Sequence, residues 1–135
     1  MPVRYLLDTN TCSYIIKGNR PPVRERLLEV PMAEVGISTV TEAELRCGVA
    51  RLPQAKKLAA AVEEFLLRLE VLPWNSEAAR HYALLRSALE REGEPMGNLD
   101  RMIAAQALAA EATLVTSDRV FRRVKGLKMK DWCGE

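Results

Sequence analysis

The sequence has few of the residues that define several common classes of protein. Its 135 residues include one histidine, His81, and three cysteines, Cys12, Cys47 and Cys133, without the paired spacing of metal ligands. An odd cysteine count argues against a secreted disulfide framework. A zinc site is also not expected, and we interpret His81 as a surface or packing residue because it lies in the middle of a predicted helix.

The sequence also lacks a long apolar run. No stretch approaches the roughly 18–20 apolar residues of a membrane helix, and the N-terminal apolar segment is too short for a signal peptide because it runs directly into Asp8. We therefore expect a cytoplasmic protein without a membrane partner. The net charge of +2 and the pI near 8.5 permit a polyanionic partner without requiring one. The length, with 48% hydrophobic residues, predicts one globular domain covering residues 1–135.

Short apolar segments alternate with helical patterns along the chain. The predicted strands are residues 3–7, 35–38, 71–72 and 112–116, with an edge strand near 127–132. The first two predicted helices end at Gly18 and near Val30, and the third begins at Thr39 or Thr41. Three longer helices cover residues 54–69, 76–92 and 99–110, and a short basic helix follows the fourth strand. This alternation predicts an α/β three-layer sandwich, in which helices flank a parallel sheet of four to five strands with right-handed crossovers.

Several polar residues are predicted to cap these helices. They are Thr9, Asn10 or Thr11 for the first helix, Asn75 and Asn98 for the last two long helices, and a capping box of Thr39 with Glu42 or of Thr41 with Glu44.

Aspartate is scarce, with four residues against fourteen glutamates, and three of the four lie at predicted element ends. Asp8 and Asp118 directly follow strands, and Glu44 lies in the first turn after another strand. Asp100 opens the helix that returns the chain to the start of strand 112–116. That helix, and Asp100 with it, therefore begins at the other edge of the sheet, where the strands have their carboxyl ends. Because ligand sites in parallel sheets lie beyond the carboxyl ends of the strands, all four carboxylates are predicted to converge on one rim.

Four carboxylates at one rim predict a divalent cation site. Each ionised pair at 4 Å costs about 4 kcal/mol at an effective dielectric near 20. Hard oxygen ligands without clustered histidine or cysteine favour Mg²⁺ or Mn²⁺. Such a site suits in-line hydrolysis of a phosphodiester by metal-activated water. The sequence has no Ser–His pairing, nucleophile elbow or phosphate-binding P-loop that would indicate another mechanism.

Each candidate residue also has a simpler explanation. Asp8, Asp100 and Asp118 can act only as helix caps, and Glu44 can serve only in a capping box. Asn10 and Thr116 can support the site by hydrogen bonds or act as ordinary turn residues. The metal hypothesis depends on their coincidence, since capping alone does not require four acids to meet at one edge.

A basic stretch follows the last strand-end aspartate. Six Lys or Arg residues and no acid lie between Arg119 and Lys130. Arg119, Arg122 and Arg123 are the candidates for contacting a phosphate backbone. A solvated, charged terminal face explains the same pattern.

The order and spacing of these motifs resemble the PIN-domain family, and within it the VapC-type toxins. The matching segments are Leu7-Asp8-Thr9-Asn10, Glu44-Leu45-Arg46-Cys47-Gly48, residues 93–100 with Ile103-Ala104-Ala105, residues 114–118, and Asp131-Trp132. The similarity covers about residues 3 to 132. One departure is Ser117-Asp118, where many close relatives have two asparagines.

The resemblance implies an endoribonuclease that uses one or two Mg²⁺ or Mn²⁺ ions per active site, with Asp8, Glu44, Asp100 and Asp118 as its acidic quartet. It also implies an RNA substrate, often transfer RNA, and a VapB-type antitoxin that occludes the site. A homodimer is implied too, and DNA contact only through the antitoxin.

Two other functions remain open on the sequence alone. A haloacid-dehalogenase-type phosphotransfer enzyme also has an aspartate after its first strand, but it needs a second one where this chain has Asn10, and a late lysine such as Lys125. A non-catalytic RNA-binding module is the third hypothesis, and it predicts the loss of one or more acids, which has not occurred.

Overall fold

The computed structural model describes residues 2–134 and contains a five-stranded parallel sheet. The strands are β1 (Tyr5–Leu7), β2 (Val35–Ser38), β3 (Glu70–Leu72), β4 (Thr113–Val115) and β5 (Met129–Lys130). Their order across the sheet is β3-β2-β1-β4-β5, and all four pairings are parallel. The predicted parallel sheet is confirmed, including the edge strand.

Helices connect the strands. They are α1 (Thr9–Lys17), α2 (Pro21–Leu28), α3 (Thr39–Ala50), α4 (Lys56–Arg68), α5 (Ser76–Arg91) and α6 (Asn98–Ala110), with short 3₁₀ segments at Met32–Glu34 and Arg119–Arg123. The basic segment after β4 is therefore a 3₁₀ turn.

The sheet register places the ends of β1 and β4 side by side. Tyr5 pairs with Thr113 and Leu7 pairs with Val115. The backbone N–H of Asp8 continues this ladder by donating to the Val115 carbonyl at 3.1 Å. The residues that follow β1 and β4 are therefore neighbours in space, although they lie more than a hundred positions apart in the sequence.

Two hydrophobic clusters cover the two faces of the sheet. One includes residues of α5 and α6, and the other includes residues of α1, α2 and α4. Helix α6 is the most buried helix against the first face, with Ile103, Ala104, Ala105 and Ala107 at most 1% exposed. Burying an apolar helix of this kind fixes its position, so it fixes Asp100 in its first turn.

The helix caps differ from several of the predictions. Asp8, and not Thr9, Asn10 or Thr11, caps α1 by accepting the Thr11 N–H at 2.9 Å. The earlier residue caps because the helix begins directly at the strand end, which leaves no loop between them.

Ser38 caps α3 by accepting the Val40 N–H at 3.0 Å, so neither predicted capping box forms. The hydroxyl of Thr39 instead accepts the Trp74 N–H at 3.2 Å. The hydroxyl groups that the sequence assigned to helix capping therefore make tertiary contacts instead.

The predictions for the last two long helices have mixed outcomes. Asn75 caps α5, and Gly93 adopts a left-handed φ of 66° after it, as predicted. Gly97 occupies the N-cap position of α6, whereas Asn98 is already helical and accepts a hydrogen bond from the Tyr82 hydroxyl. Across residues 2–134, no helix is long and apolar enough to span a bilayer.

Candidate metal-binding active site

Asp8 is the most firmly held of the four predicted carboxylates. It is only 4% exposed. Its Oδ1 accepts the Thr11 N–H and its Oδ2 accepts the Thr116 hydroxyl at 2.5 Å. Burial raises the pKa of Asp8 above its ordinary value, hydrogen bonds from Thr116 and Thr11 oppose this, and the charge of Asp118 adds to it. The carboxylate is thus rigid and costly to ionise without a positive partner.

Thr116 joins Asp8 to Asp118. Its hydroxyl donates to Asp8 and also accepts the Asp118 N–H at 3.0 Å. Thr116 itself is 2% exposed. One hydroxyl therefore sets the position of both strand-end aspartates relative to each other.

Asp118 is exposed and begins the 3₁₀ turn. Its Oδ1 accepts the Val120 N–H at 3.0 Å. The capping interpretation is thus correct for Asp8 and Asp118 as a local statement. In both residues the second carboxylate oxygen takes no part in the cap, and that of Asp8 accepts the Thr116 hydroxyl instead.

Glu44 reaches the same region from the first half of α3. Its Oε1 accepts a hydrogen bond from the Thr9 hydroxyl, and that hydroxyl also lies 3.3 Å from the Thr41 hydroxyl. Thr9 directly follows Asp8, so this contact ties α3 to the start of α1. It also holds the Glu44 carboxylate toward Thr9.

Asp100 lies among the other three acids. Burial raises the pKa of Asp100, and the negative charges of Asp118, Glu44 and Asp8 raise it further, in that order. The four carboxylates are thus near enough to influence one another electrostatically, and their joint role as a metal site stays a prediction. The cluster is therefore a region of concentrated negative charge.

Within the described residues, none of the four acids is part of a salt bridge. No three acidic, cysteine or histidine side chains of residues 2–134 are drawn close enough together to share one ion.

The donor set nevertheless fits a hard divalent cation. All four candidate ligands are carboxylates, and one of them is buried and held rigidly by hydrogen bonds.

Sequence reasoning missed three hydroxyl residues at this site. Thr9 contacts Glu44, Thr41 lies beside Thr9, and the Thr11 hydroxyl donates to the Val115 carbonyl at 3.1 Å. Asn10, the predicted supporting residue, is exposed in the first turn of α1. The signal available was the run of three hydroxyl or amide residues after Asp8, and the supporting role of Asn10 stays a prediction.

The family comparison agrees with this geometry. The family model described as "PIN domain" matches residues 5–127, which is most of the chain. The chain belongs to the PIN-domain family.

Relatives of known name place it more narrowly among VapC-type PIN-domain proteins. The chain is 37% identical over 132 residues to the tRNA(fMet)-specific endonuclease VapC of Salmonella typhimurium, covering 97% of this chain and 99% of the relative. Among solved structures, DNA-bound VapBC from Salmonella typhimurium has a TM-score of 0.91 at 37% identity and covers 97% of this chain and 99% of that one. VapBC2 from Rickettsia felis, bound to a promoter DNA fragment, has a TM-score of 0.88 at 32% identity and covers 96% and 99%.

Membership of the PIN-domain family confirms the resemblance and the fold inferred from the motifs. The family match does not support the phosphotransfer alternative. Its late lysine, Lys125, pairs with Glu92, the residue after α5, at 3.2 Å. The roles of Asp8, Glu44, Asp100 and Asp118 as ligands stay predictions that the geometry supports.

We expect Thr116→Val to weaken catalysis while the fold survives. Valine leaves the Asp8 carboxylate and the Asp118 N–H without their shared partner, so we predict a loss of about 10- to 100-fold in activity or cation affinity, the range typical of residues that orient ligands. The free energy of unfolding should fall by about 1–3 kcal/mol. Steady-state cleavage and denaturant melts measure both quantities.

Thr113→Val is the matched control for this change. Thr113 lies on the same strand at its other end, and its side chain is half-buried. If both valine variants lose activity equally, a general perturbation of β4 explains the loss and Thr116 has no special orienting role.

Proposed function

We propose that this chain is a metal-dependent endoribonuclease, a VapC-like toxin that hydrolyses phosphodiester bonds in RNA, and that residues 1–135 act as a single PIN-like nuclease domain. The observation that carries the proposal is the placement of carboxylates from separate segments on one rim, where Thr116 joins Asp8 to Asp118 and Thr9 holds Glu44, and where none of the four acids forms a salt bridge within the described residues. The names of the relatives, an endonuclease specific for a transfer RNA and ribonucleases, support the reaction class.

Asp8, Glu44, Asp100 and Asp118 would hold one or two Mg²⁺ or Mn²⁺ ions. A bound ion at such a site supplies an activated water and charge neutralisation for the phosphate. The protein's own part is to hold its oxygens in place before substrate arrives. Asp8 does this through Thr11 and Thr116, and Thr116 aligns Asp118 with it. Thr116 thus acts as a supporting residue, and Asn10 is retained in that predicted role.

Transfer RNA or another structured RNA is the proposed substrate. The test is incubation of the purified chain with initiator transfer RNA, an elongator transfer RNA and an unstructured RNA in the presence of Mn²⁺. Discrete cleavage of at least one of them is expected, and mapping of the new ends identifies the bond. If the pure protein binds RNA tightly in all conditions and never cuts it, the non-catalytic module is the correct hypothesis.

A VapB-type antitoxin is the proposed inhibitor, and an apolar groove offers it a binding surface. The groove has a volume of about 610 Å³ and lies between α1, α2 and α4. Its apolar lining consists of Ile15, Ile16, Leu27, Leu28, Met32 and Phe65. Leu28 is 86% exposed, which is unusual for leucine unless a partner covers it. Solved relatives that are toxin–antitoxin complexes support such a partner.

The same cleavage assay includes the antitoxin as a second arm. Leu28→Glu should cut RNA at the parental rate but resist inhibition by co-purified antitoxin, since a charge in the groove disfavours an apolar segment. Leu67→Glu is the control, because Leu67 is 82% exposed on α4 and does not line the groove. Equal inhibition of both variants contradicts the groove assignment.

Three further expectations belong to the proposal. The chain is a homodimer, for which light scattering at micromolar concentration is the check. It contacts DNA only through its antitoxin. It acts in the cytoplasm.

A further inference from the structure

A polar cleft is lined by Asp118 and by Thr116, the residue that joins Asp118 to Asp8. Its volume is about 310 Å³, and it lies between the 3₁₀ turn Arg119–Arg123 and the end of β5. Three basic side chains line it, namely Arg119, Arg122 and Lys130. The cleft therefore opens directly beside the proposed site of phosphodiester hydrolysis.

These three cations are not used by the fold. Arg119, Arg122 and Lys130 are exposed, and in the part of the chain that the structure describes none of them is part of a salt bridge. Unpaired cations held around a concave surface favour an anionic ligand.

Two of the other three basic residues of the same stretch make contacts elsewhere, and the third, Lys128, lines neither cavity. Arg123 donates to the Pro95 carbonyl, and Lys125 pairs with Glu92. Both line a different cavity against α5, together with His81. The structure thus divides a basic run that looks uniform in the sequence into two groups.

Two acids also line the cleft, and they limit what it can bind. Asp118 belongs to the proposed cation site, and Asp131 accepts the Cys133 N–H at 2.8 Å through its Oδ1. With Asp118 neutralised by a bound cation, three positive charges face one negative charge. The cleft then keeps a net positive charge, which favours an anionic ligand such as a phosphodiester.

We propose that Arg119, Arg122 and Lys130 form a subsite for the RNA backbone phosphate adjacent to the one that is cut. The inference rests on the proposed nuclease function and adds the residues that position its substrate. Arg119 directly follows Asp118 in the chain and both line the cleft, so the three cations lie next to the proposed site of cleavage. Contacts of this kind position the backbone and carry no sequence preference.

The test removes the three charges and measures binding and cleavage separately. The variant is Arg119→Gln/Arg122→Gln/Lys130→Gln. Binding of a fluorescent single-stranded RNA of about twelve nucleotides is measured by anisotropy in an Asp8→Asn background, which prevents cutting. Because three cations no longer face the phosphates, the dependence of log affinity on log salt should weaken by about 2, and affinity at about 0.1 M salt should fall about 100-fold.

A matched variant controls for net charge. Arg123→Gln/Lys125→Gln/Lys128→Gln removes the same number of positive charges from the same stretch, and none of these residues lines the cleft. Its affinity and salt dependence should stay close to those of the parent. If either triple variant melts at a much lower temperature, the pairs Arg119→Gln/Arg122→Gln and Lys125→Gln/Lys128→Gln replace them.

Cleavage in the Asp8-containing protein completes the test. The cleft variant should show a raised KM with a nearly unchanged kcat at saturating transfer RNA. If both triple variants weaken binding equally, or if the cleft variant keeps the parental KM and salt dependence, the subsite is refuted while the nuclease function stands. Failure of the parent protein to cut any RNA refutes the nuclease function itself.

Discussion

The Asp8→Asn protein is expected to lose RNA cleavage by about 1,000-fold or more, and yet to unfold at a higher temperature than the metal-free parent. Loss of one anionic ligand removes several kcal/mol of charge stabilisation, and about 1.4 kcal/mol corresponds to each tenfold in rate. Asparagine retains an oxygen for the Thr11 N–H, so the cap of α1 persists. The Thr116 hydroxyl can reverse its hydrogen bond and accept from the new amide.

The gain in stability follows from the burial of Asp8. Its pKa is raised by burial, so the folded protein disfavours the ionised form relative to the unfolded chain. The native state binds a proton more tightly, and stability therefore decreases as pH rises from the ordinary aspartate range through the raised native pKa. Asp8→Asn should remove this part of the decrease. Thermal melts of both proteins without metal, over a series of pH values, measure it.

Asp131→Asn is the matched control for this experiment. Asp131 follows β5 as Asp8 follows β1, and it too accepts a backbone N–H, but it is exposed and lies outside the predicted quartet. Because Asp131 also lines the cleft beside Asp118, cleavage is compared at saturating RNA, where Asp131→Asn should retain the parental kcat. It should show no stabilisation. An Asp8→Asn protein that cuts RNA as fast as the Asp131→Asn protein contradicts the proposed role of Asp8.

Removal of divalent cations should stop cleavage completely, and Mg²⁺ or Mn²⁺ should restore it. A cation that binds only the folded state stabilises it by about 2.7 kcal/mol at a free concentration of 100 times Kd. The melting temperature should therefore rise with added Mn²⁺ in the parent and much less in Asp8→Asn. Cleavage with EDTA, and melts with and without Mn²⁺, provide the two readouts.

Cation affinity should also weaken as the solution becomes more acidic. Burial and neighbouring carboxylates raise the pKa values of Asp8 and Asp100. Protons therefore compete with the cation at a higher pH than they would for exposed aspartates. Calorimetric titration of Mn²⁺ at several pH values below neutrality checks the trend. Cleavage that persists at full rate in excess EDTA contradicts the whole metal hypothesis.

Strand ends were the part of the site that the sequence could predict. Asp8 and Asp118 follow segments whose apolar, branched composition marks them as buried strands, and parallel pairing then places them at the same edge. Asp100 was predictable because α6 is apolar almost all round and must return the chain to β4. The fold and these positions depend on patterns that are local in the sequence.

The hydrogen-bond partners of the site were not predictable in the same way. Ser38, Thr39 and Thr41 all offer a hydroxyl near the start of α3, and local rules do not decide among them. In the structure the Thr39 hydroxyl accepts the Trp74 N–H, and the Thr41 hydroxyl lies beside that of Thr9. Both contacts join residues more than thirty positions apart. The separation of the basic residues into two places also depends on contacts distant in sequence. Arg123 lines the cavity against α5, whereas Arg119 lines the cleft beside Asp118.

The central position of β1 has a consequence for synthesis of the protein. β1 is the first of the five strands to be made, whereas its neighbour β4 and the edge strand β5 are the last two. A chain still being translated can make α1 to α4 before β4 exists, but it cannot bring Asp118 beside Asp8. The proposed site is therefore assembled late in synthesis, and an inhibitor already present has that interval in which to meet the chain.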